Sequence, residues 1–72
     1  MEPLGSRIRR LRSEQNLTQD SLAIRAHVDQ SGLSKLERLK ATKMGPIPLT
    51  RIAGILGMSF EELVDGTEYK KQ

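Results

Sequence analysis

The stretch TQDSLAIRAHVDQSGLSKLER, Thr18 to Arg38, decides the fold, because it contains two short amphipathic segments separated by a tight turn. Thr18 is a good helix N-cap, worth about 1 kcal/mol over alanine, and Leu22, Ala23 and Ala26 then recur on one face, so a helix is predicted from Thr18 to near His27. Small alanines on that face let a second helix approach closely. After the connector His27-Val28, Asp29 is a second capping residue. The helix it starts turns Leu33 and Leu36 inward and Gln30, Ser31, Ser34, Lys35 and Arg38 outward, ending near Arg38.

Outward from this unit the same periodicity continues. Leu4, Ile8 and Leu11 predict a first helix over residues 4–15, with Arg7, Arg9, Arg10 and Arg12 interleaved. Asn16 is suited to the left-handed closure of that helix, and Leu17 reads as a buried connector. The stretch from Leu39 to Ile47 reads as a loop. Pro48 is placed in the first turn of a fourth helix whose inner stripe is Leu49, Ile52, Ala53 and Leu56 and which Gly57 ends. Ser59 to Glu62 has the form of a capping box, so a short fifth helix follows and stops at Gly66. One all-α domain over residues 1–72 is expected, ordered from about 4 to 66, with 67–72 a polar tail.

Composition agrees with this. Seventy-two residues support one core. With no cysteine and one histidine, disulfides and a Cys-type zinc site are excluded, and with Phe60 and Tyr69 the only aromatics the core must be aliphatic. No apolar run is long enough to span a bilayer and no signal peptide is present, so a cytoplasmic protein is expected. The net charge of +3 is uneven: residues 1–43 carry nine Lys/Arg against five Asp/Glu, and residues 44–72 carry three against four. A basic front half suits a polyanionic partner or is a solvated face.

Neither a nucleophile with a matched base nor a metal-ligand cluster can be assembled, so no catalytic residue, metal site or cofactor is expected. His27 reads as a connector able to take positive φ. The glycines Gly45, Gly54, Gly57 and Gly66 form no phosphate-binding loop. What remains is Gln19, the turn, and the polar face of the third helix. In a helix-turn-helix the second helix of the pair lies in the major groove, so residues at its outward start meet base edges. Gln30 is so placed, and its amide matches adenine N6 and N7; Gln19 can brace it. Ser31 and Ser34 can donate or accept, and Lys35 can reach guanine or a phosphate.

At these residues the chain resembles the helix-turn-helix of the phage lambda repressor and Cro family, also called the Xre type. The resemblance runs through Thr18-Gln19-Asp20-Ser21-Leu22-Ala23, Val28 and Gln30-Ser31-Gly32-Leu33-Ser34. It extends to Ile8, Leu11 and Arg12, to Leu36-Glu37, and to Ala53, Leu56-Gly57 and Leu63, about residues 4–66. It implies a compact five-helix lambda-repressor-like DNA-binding domain. Gln19 would contact a phosphate and hydrogen-bond Gln30, Gln30 would read an adenine, and Ser31 and Lys35 would contact neighbouring bases. Arg12 and Glu37 would form a buried ion pair tying the first helix to the third. Lys40 and Lys43, with Arg38 beside them, fall where the family touches the DNA backbone.

The expected function is a sequence-specific transcriptional regulator, a repressor binding a palindromic double-stranded operator as a homodimer, with Met58, Phe60 and Val64 as candidate dimer contacts. Phe60 is equally a candidate for the core. The alternative is an antitoxin or adaptor-type protein-interaction module on the same fold, with a protein partner such as a toxin or antirepressor. Three positions depart from the family. His27 stands at the turn glycine, Leu39 at the glycine after the third helix, and Gly45-Pro46-Ile47-Pro48 makes an unusual loop. Gly32 costs up to about 1 kcal/mol in a helix, which close backbone approach to DNA would rationalise.

Overall fold

The computed structural model describes residues 1–38 and 43–69. Five helices make up the fold: α1 (Leu4–Glu14), α2 (Gln19–Ala26), α3 (Gln30–Arg38), α4 (Pro46–Leu56) and α5 (Phe60–Val64), with no strand among the described residues. This is the all-α lambda-repressor-like architecture expected. Every helix contributes to one aliphatic core built on Leu4, Ile8, Leu22, Leu33, Leu36, Leu49, Ile52, Leu56, Leu63 and Val64. α1 packs across α3, α2 lies against both α3 and α4, and α5 closes the assembly against α1 and α4.

Three helix ends share one device. Asn16 at φ 58°, His27 at φ 55° and Gly57 at φ 84° each turn the chain into the left-handed region at the end of a helix, Asn16 one residue beyond Gln15. In each case the following amide reaches back to the carbonyl five residues earlier: Leu17 N–H to Arg12 O at 2.8 Å, Val28 N–H to Ala23 O at 3.0 Å, and Met58 N–H to Ala53 O at 2.9 Å. These are Schellman closures, which satisfy carbonyls that the helix leaves free. Leu17, read from sequence as buried, is half-buried.

Pro48 stands in the first turn of α4 as expected, but the helix begins at Pro46, so the last part of the segment read as a loop is helical. The first four amides of a helix have no partner within it, so both prolines fit there without losing a hydrogen bond. Leu49 N–H makes the first bond, to Gly45 O at 3.3 Å. At the start of α5, the Ser59 hydroxyl accepts from Glu62 N–H at 3.1 Å and the Glu62 carboxylate accepts from Ser59 N–H at 2.9 Å, the expected capping box.

The segment after α5 is packed where a polar tail is expected. Thr67 is buried, its hydroxyl donating to Val64 O at 2.6 Å, and the Tyr69 ring meets Phe60 edge-on with centroids 5.7 Å apart. Glu68 accepts from Leu4 N–H at 2.8 Å, supplying the cap that Pro3 cannot, and Glu2 N–H donates to Gly66 O at 3.3 Å. Arg7 joins the same seam, donating to the carbonyls of Leu63 at 3.1 Å and of Asp65. The outer part of the expected tail, residues 70–72, lies outside the described residues.

Gly5 sets the α1–α3 distance. A β-carbon there would stand 1.9 Å from Leu36 O and 2.9 Å from Glu37 Cα, both backbone atoms. Gly5→Ala is therefore expected to lower the unfolding free energy by at least about 1 to 3 kcal/mol, the range for an overpacked core, as measured by urea denaturation. His27→Gly should act oppositely. Left-handed geometry costs a residue with a β-carbon about 1 to 2 kcal/mol, part of which glycine's unfolded-state entropy offsets, so a gain of up to about 1 kcal/mol is expected in the same measurement.

Candidate nucleic-acid interface

α2, the turn and α3 form the unit that the sequence singled out, and each junction in it is held by identifiable bonds. The Thr18 hydroxyl accepts from Ser21 N–H at 3.0 Å and starts α2. His27 takes the left-handed geometry, so the departure from glycine leaves the turn closed in the usual way. The turn is braced from outside as well: Arg51 of α4 donates from Nε to Ala26 O at 2.8 Å and from Nη2 to His27 O at 3.1 Å. A cation at the carbonyl end of α2 also suits its dipole.

α3 starts from Asp29, whose Oδ2 accepts from Gly32 N–H at 3.1 Å and from the Ser31 hydroxyl. Those bonds, the Ser31 hydroxyl foremost, hold the Asp29 carboxyl below the ordinary carboxylate range. With Leu33 and Leu36 buried, Gln30, Ser31, Lys35 and Arg38 are exposed on the opposite face and Ser34 is half-buried. A β-carbon at Gly32 would meet only Asp29, at 3.8 Å, so nothing within the fold requires glycine there.

Behind this face runs a chain of four side chains from three helices. Arg12 of α1 grips Glu37 of α3 with two bonds of 2.8 Å, Nε to Oε2 and Nη2 to Oε1, and donates from Nη1 to Leu17 O at 3.1 Å. The bond to Glu37 raises the Arg12 pKa further. Gln19 Nε2 donates to Glu37 Oε1 at 3.1 Å, and Gln30 Nε2 donates to Gln19 Oε1 at 3.4 Å. Arg12, Glu37, Gln19 and Gln30 are thus brought together.

Other expected site residues divide. Lys35 and Lys43 line one groove of about 720 Å³ between α3 and α4, and Arg38 is exposed at the end of α3. Lys40 and Leu39 lie outside the described residues. Met58 and Phe60 are half-buried, but Val64 is 1% exposed and belongs to the core, so it offers no surface to a second subunit. The inward position follows from its place beside Leu63 at the end of a helix held on two sides, by α1 and α4. Sequence reasoning did not find Arg51 or Gly5, whose roles depend on backbone atoms distant in the chain. No described helix is long and apolar enough to cross a membrane.

A helix-turn-helix domain family model matches residues 3–65. Among curated proteins the chain is similar to an uncharacterized HTH-type transcriptional regulator, RghRB of Bacillus subtilis (strain 168), at 30% identity over 64 residues. The match covers 89% of this chain but 46% of that protein, so the chain spans about half the length of its relative. The chain also resembles solved structures. One is a complex of the SinR and SinI proteins, with a TM-score of 0.81 and 30% identity over 93% of this chain and 65% of that one. Another is SinR, described as the master regulator for biofilm formation, in complex with DNA, with a TM-score of 0.79 and 32% identity over 86% and 98%.

The Asp29 cap makes α3 sensitive to acid. Its carboxyl is depressed in the folded state, so its contribution is present above the unfolded-state pKa and is lost as pH falls through the lower folded value. Asp29→Asn keeps a capping side chain that does not titrate. The variant should lose less stability than the parent between about pH 5 and pH 3, as followed by thermal unfolding in a pH series.

Proposed function

The chain belongs to the helix-turn-helix domain family, and from that premise we propose that it is a sequence-specific double-stranded DNA-binding transcriptional regulator, a repressor acting from the major groove. The observation that carries this reading is the hydrogen bond from Gln30 to Gln19 at the exposed start of α3, which holds an amide ready for a base edge. Gln30 reads an adenine, and Ser31, Ser34 and Lys35 contact its neighbours. Ser31 does so mainly as an acceptor, because its proton is directed to Asp29. Gln19, Arg38 and Lys43 meet phosphates, and Gly32 lets the backbone come close.

The operator is palindromic and the protein a homodimer, with half-sites about one helical turn, roughly 34 Å, apart. Met58 and Phe60 remain the candidates for the contact between subunits. A protein of this kind works in the cytoplasm, where its DNA is. SinR, the DNA-bound structure that this chain resembles, supports the choice of DNA as the partner. A second reading, an antitoxin or adaptor-type interaction module, is favoured by one finding: SinR is also found in complex with the SinI protein. Absence of any mobility shift on duplex DNA at micromolar protein and moderate salt would favour that second reading.

Selection from a random duplex library is expected to yield a motif with inverted symmetry. Gln30→Ala should flatten preference at one base position in each half-site while leaving weak binding, and Lys43→Ala should reduce the salt slope by about 0.9 without changing preference. Enrichment of no motif would sink the proposal.

A further inference from the structure

Glu37 belongs to the ion pair and to the reading face at once. Its Oε2 accepts from Arg12, and its Oε1 accepts from both Arg12 and Gln19. An ionised carboxylate has no proton to give, so the Gln19 amide has one workable orientation, nitrogen toward Glu37. The Gln19 oxygen is then left facing Gln30, where it accepts from Nε2. A rotated Gln30 amide would set carbonyl oxygen against carbonyl oxygen.

We propose that Glu37 is a specificity-determining positioning residue, which acts through Gln19 to fix the rotation of the Gln30 amide before DNA is met. The inference rests on the reading of Gln30 as the base contact. In the fixed orientation one N–H and the Oε1 of Gln30 occupy set places. Adenine answers both, with an acceptor at N7 and a donor at N6. Guanine presents acceptors at N7 and O6, and thymine an acceptor at O4, so the Gln30 oxygen would face a lone pair on either. An amide free to rotate would turn its nitrogen to those oxygens and tolerate them. Arg12 contributes by orienting Glu37 with two hydrogen bonds in a site where 3% of its side chain is exposed. Selectivity at the surface is thereby set from beneath, by a residue that touches no base.

Two variants test this. Glu37→Gln replaces the carboxylate by an amide that can offer Gln19 either atom, and Gln19→Met removes the relay while leaving the Arg12–Glu37 pair intact. Each is checked for folding by circular dichroism and titrated against four duplexes differing only at the position where Gln30→Ala loses preference. Both should bind with an adenine-to-guanine ratio lowered about tenfold, the size of one misplaced bidentate contact, whereas a general structural defect would weaken all four duplexes alike. If Glu37→Gln does not fold, Gln19→Met carries the test alone. A folded Gln19→Met protein with an unchanged ratio overturns the relay. Failure of the parent to prefer any base at a position sensitive to Gln30→Ala overturns the base-contact reading, and the relay with it.

Discussion

A carboxylate with 3% of its side chain exposed is stable only when the lone pairs it turns inward find donors, and those for Glu37 come from two other helices. That constraint couples α1, α2 and α3. Arg12 supplies two bonds and at the same time grips Leu17 O, the carbonyl that leads into α2, while Gln19 supplies the third from the first turn of α2. A buried pair of this kind contributes little net stability over an apolar replacement, although stranding one partner costs about 3 to 5 kcal/mol. Its value lies in geometry. Apolar side chains would allow α3 to slide or rotate along the core, whereas a bidentate contact accepts one register.

Backbone chemistry serves the same end. Gly5 brings α1 against the carbonyl of Leu36, one residue before Glu37, which is what puts Arg12 within reach. His27 accepts left-handed backbone so that α3 leaves α2 at the angle the core requires, and Arg51 pins the carbonyls on the α2 side of that turn. Gln15 does similar work elsewhere, donating to Leu56 O at 2.8 Å where α4 ends. Long polar side chains thus terminate helices in other parts of the chain, while the aliphatic core carries the bulk of the burial.

What was legible in the sequence follows from range. Thr18, Ser59 with Glu62, and the inward stripes of Leu22, Leu33 and Leu36 act within a turn or two of their own position, and each appears where local chemistry puts it. Gln30 and Lys35 could be placed on an outer face for the same reason. Pro48 stands in the first turn of α4 as its fixed φ suggests, but the helix opens two residues earlier, because the unpartnered first amides have room for Pro46 too. Gly5, Arg7, Arg51 and Glu68 act on atoms from 24 to 64 positions away. Such partners leave no periodic trace. Val64 escaped differently: on a helix of five residues one apolar position more or less does not define a face.

The seam between the chain ends bears on how the protein is made. Glu68 caps Leu4 across 64 positions, and Gly66 receives the amide of Glu2. During synthesis α1, α2 and α3 emerge well before α5 and the residues that follow it, so in a nascent chain the first helix lacks both its cap and the cover that α5 gives it. Closing the longest loop in the fold is left for the end. The seam that holds α1 therefore closes only after Glu68 has left the ribosome, and a chain stalled short of that point would have a first helix still without its cap and its cover.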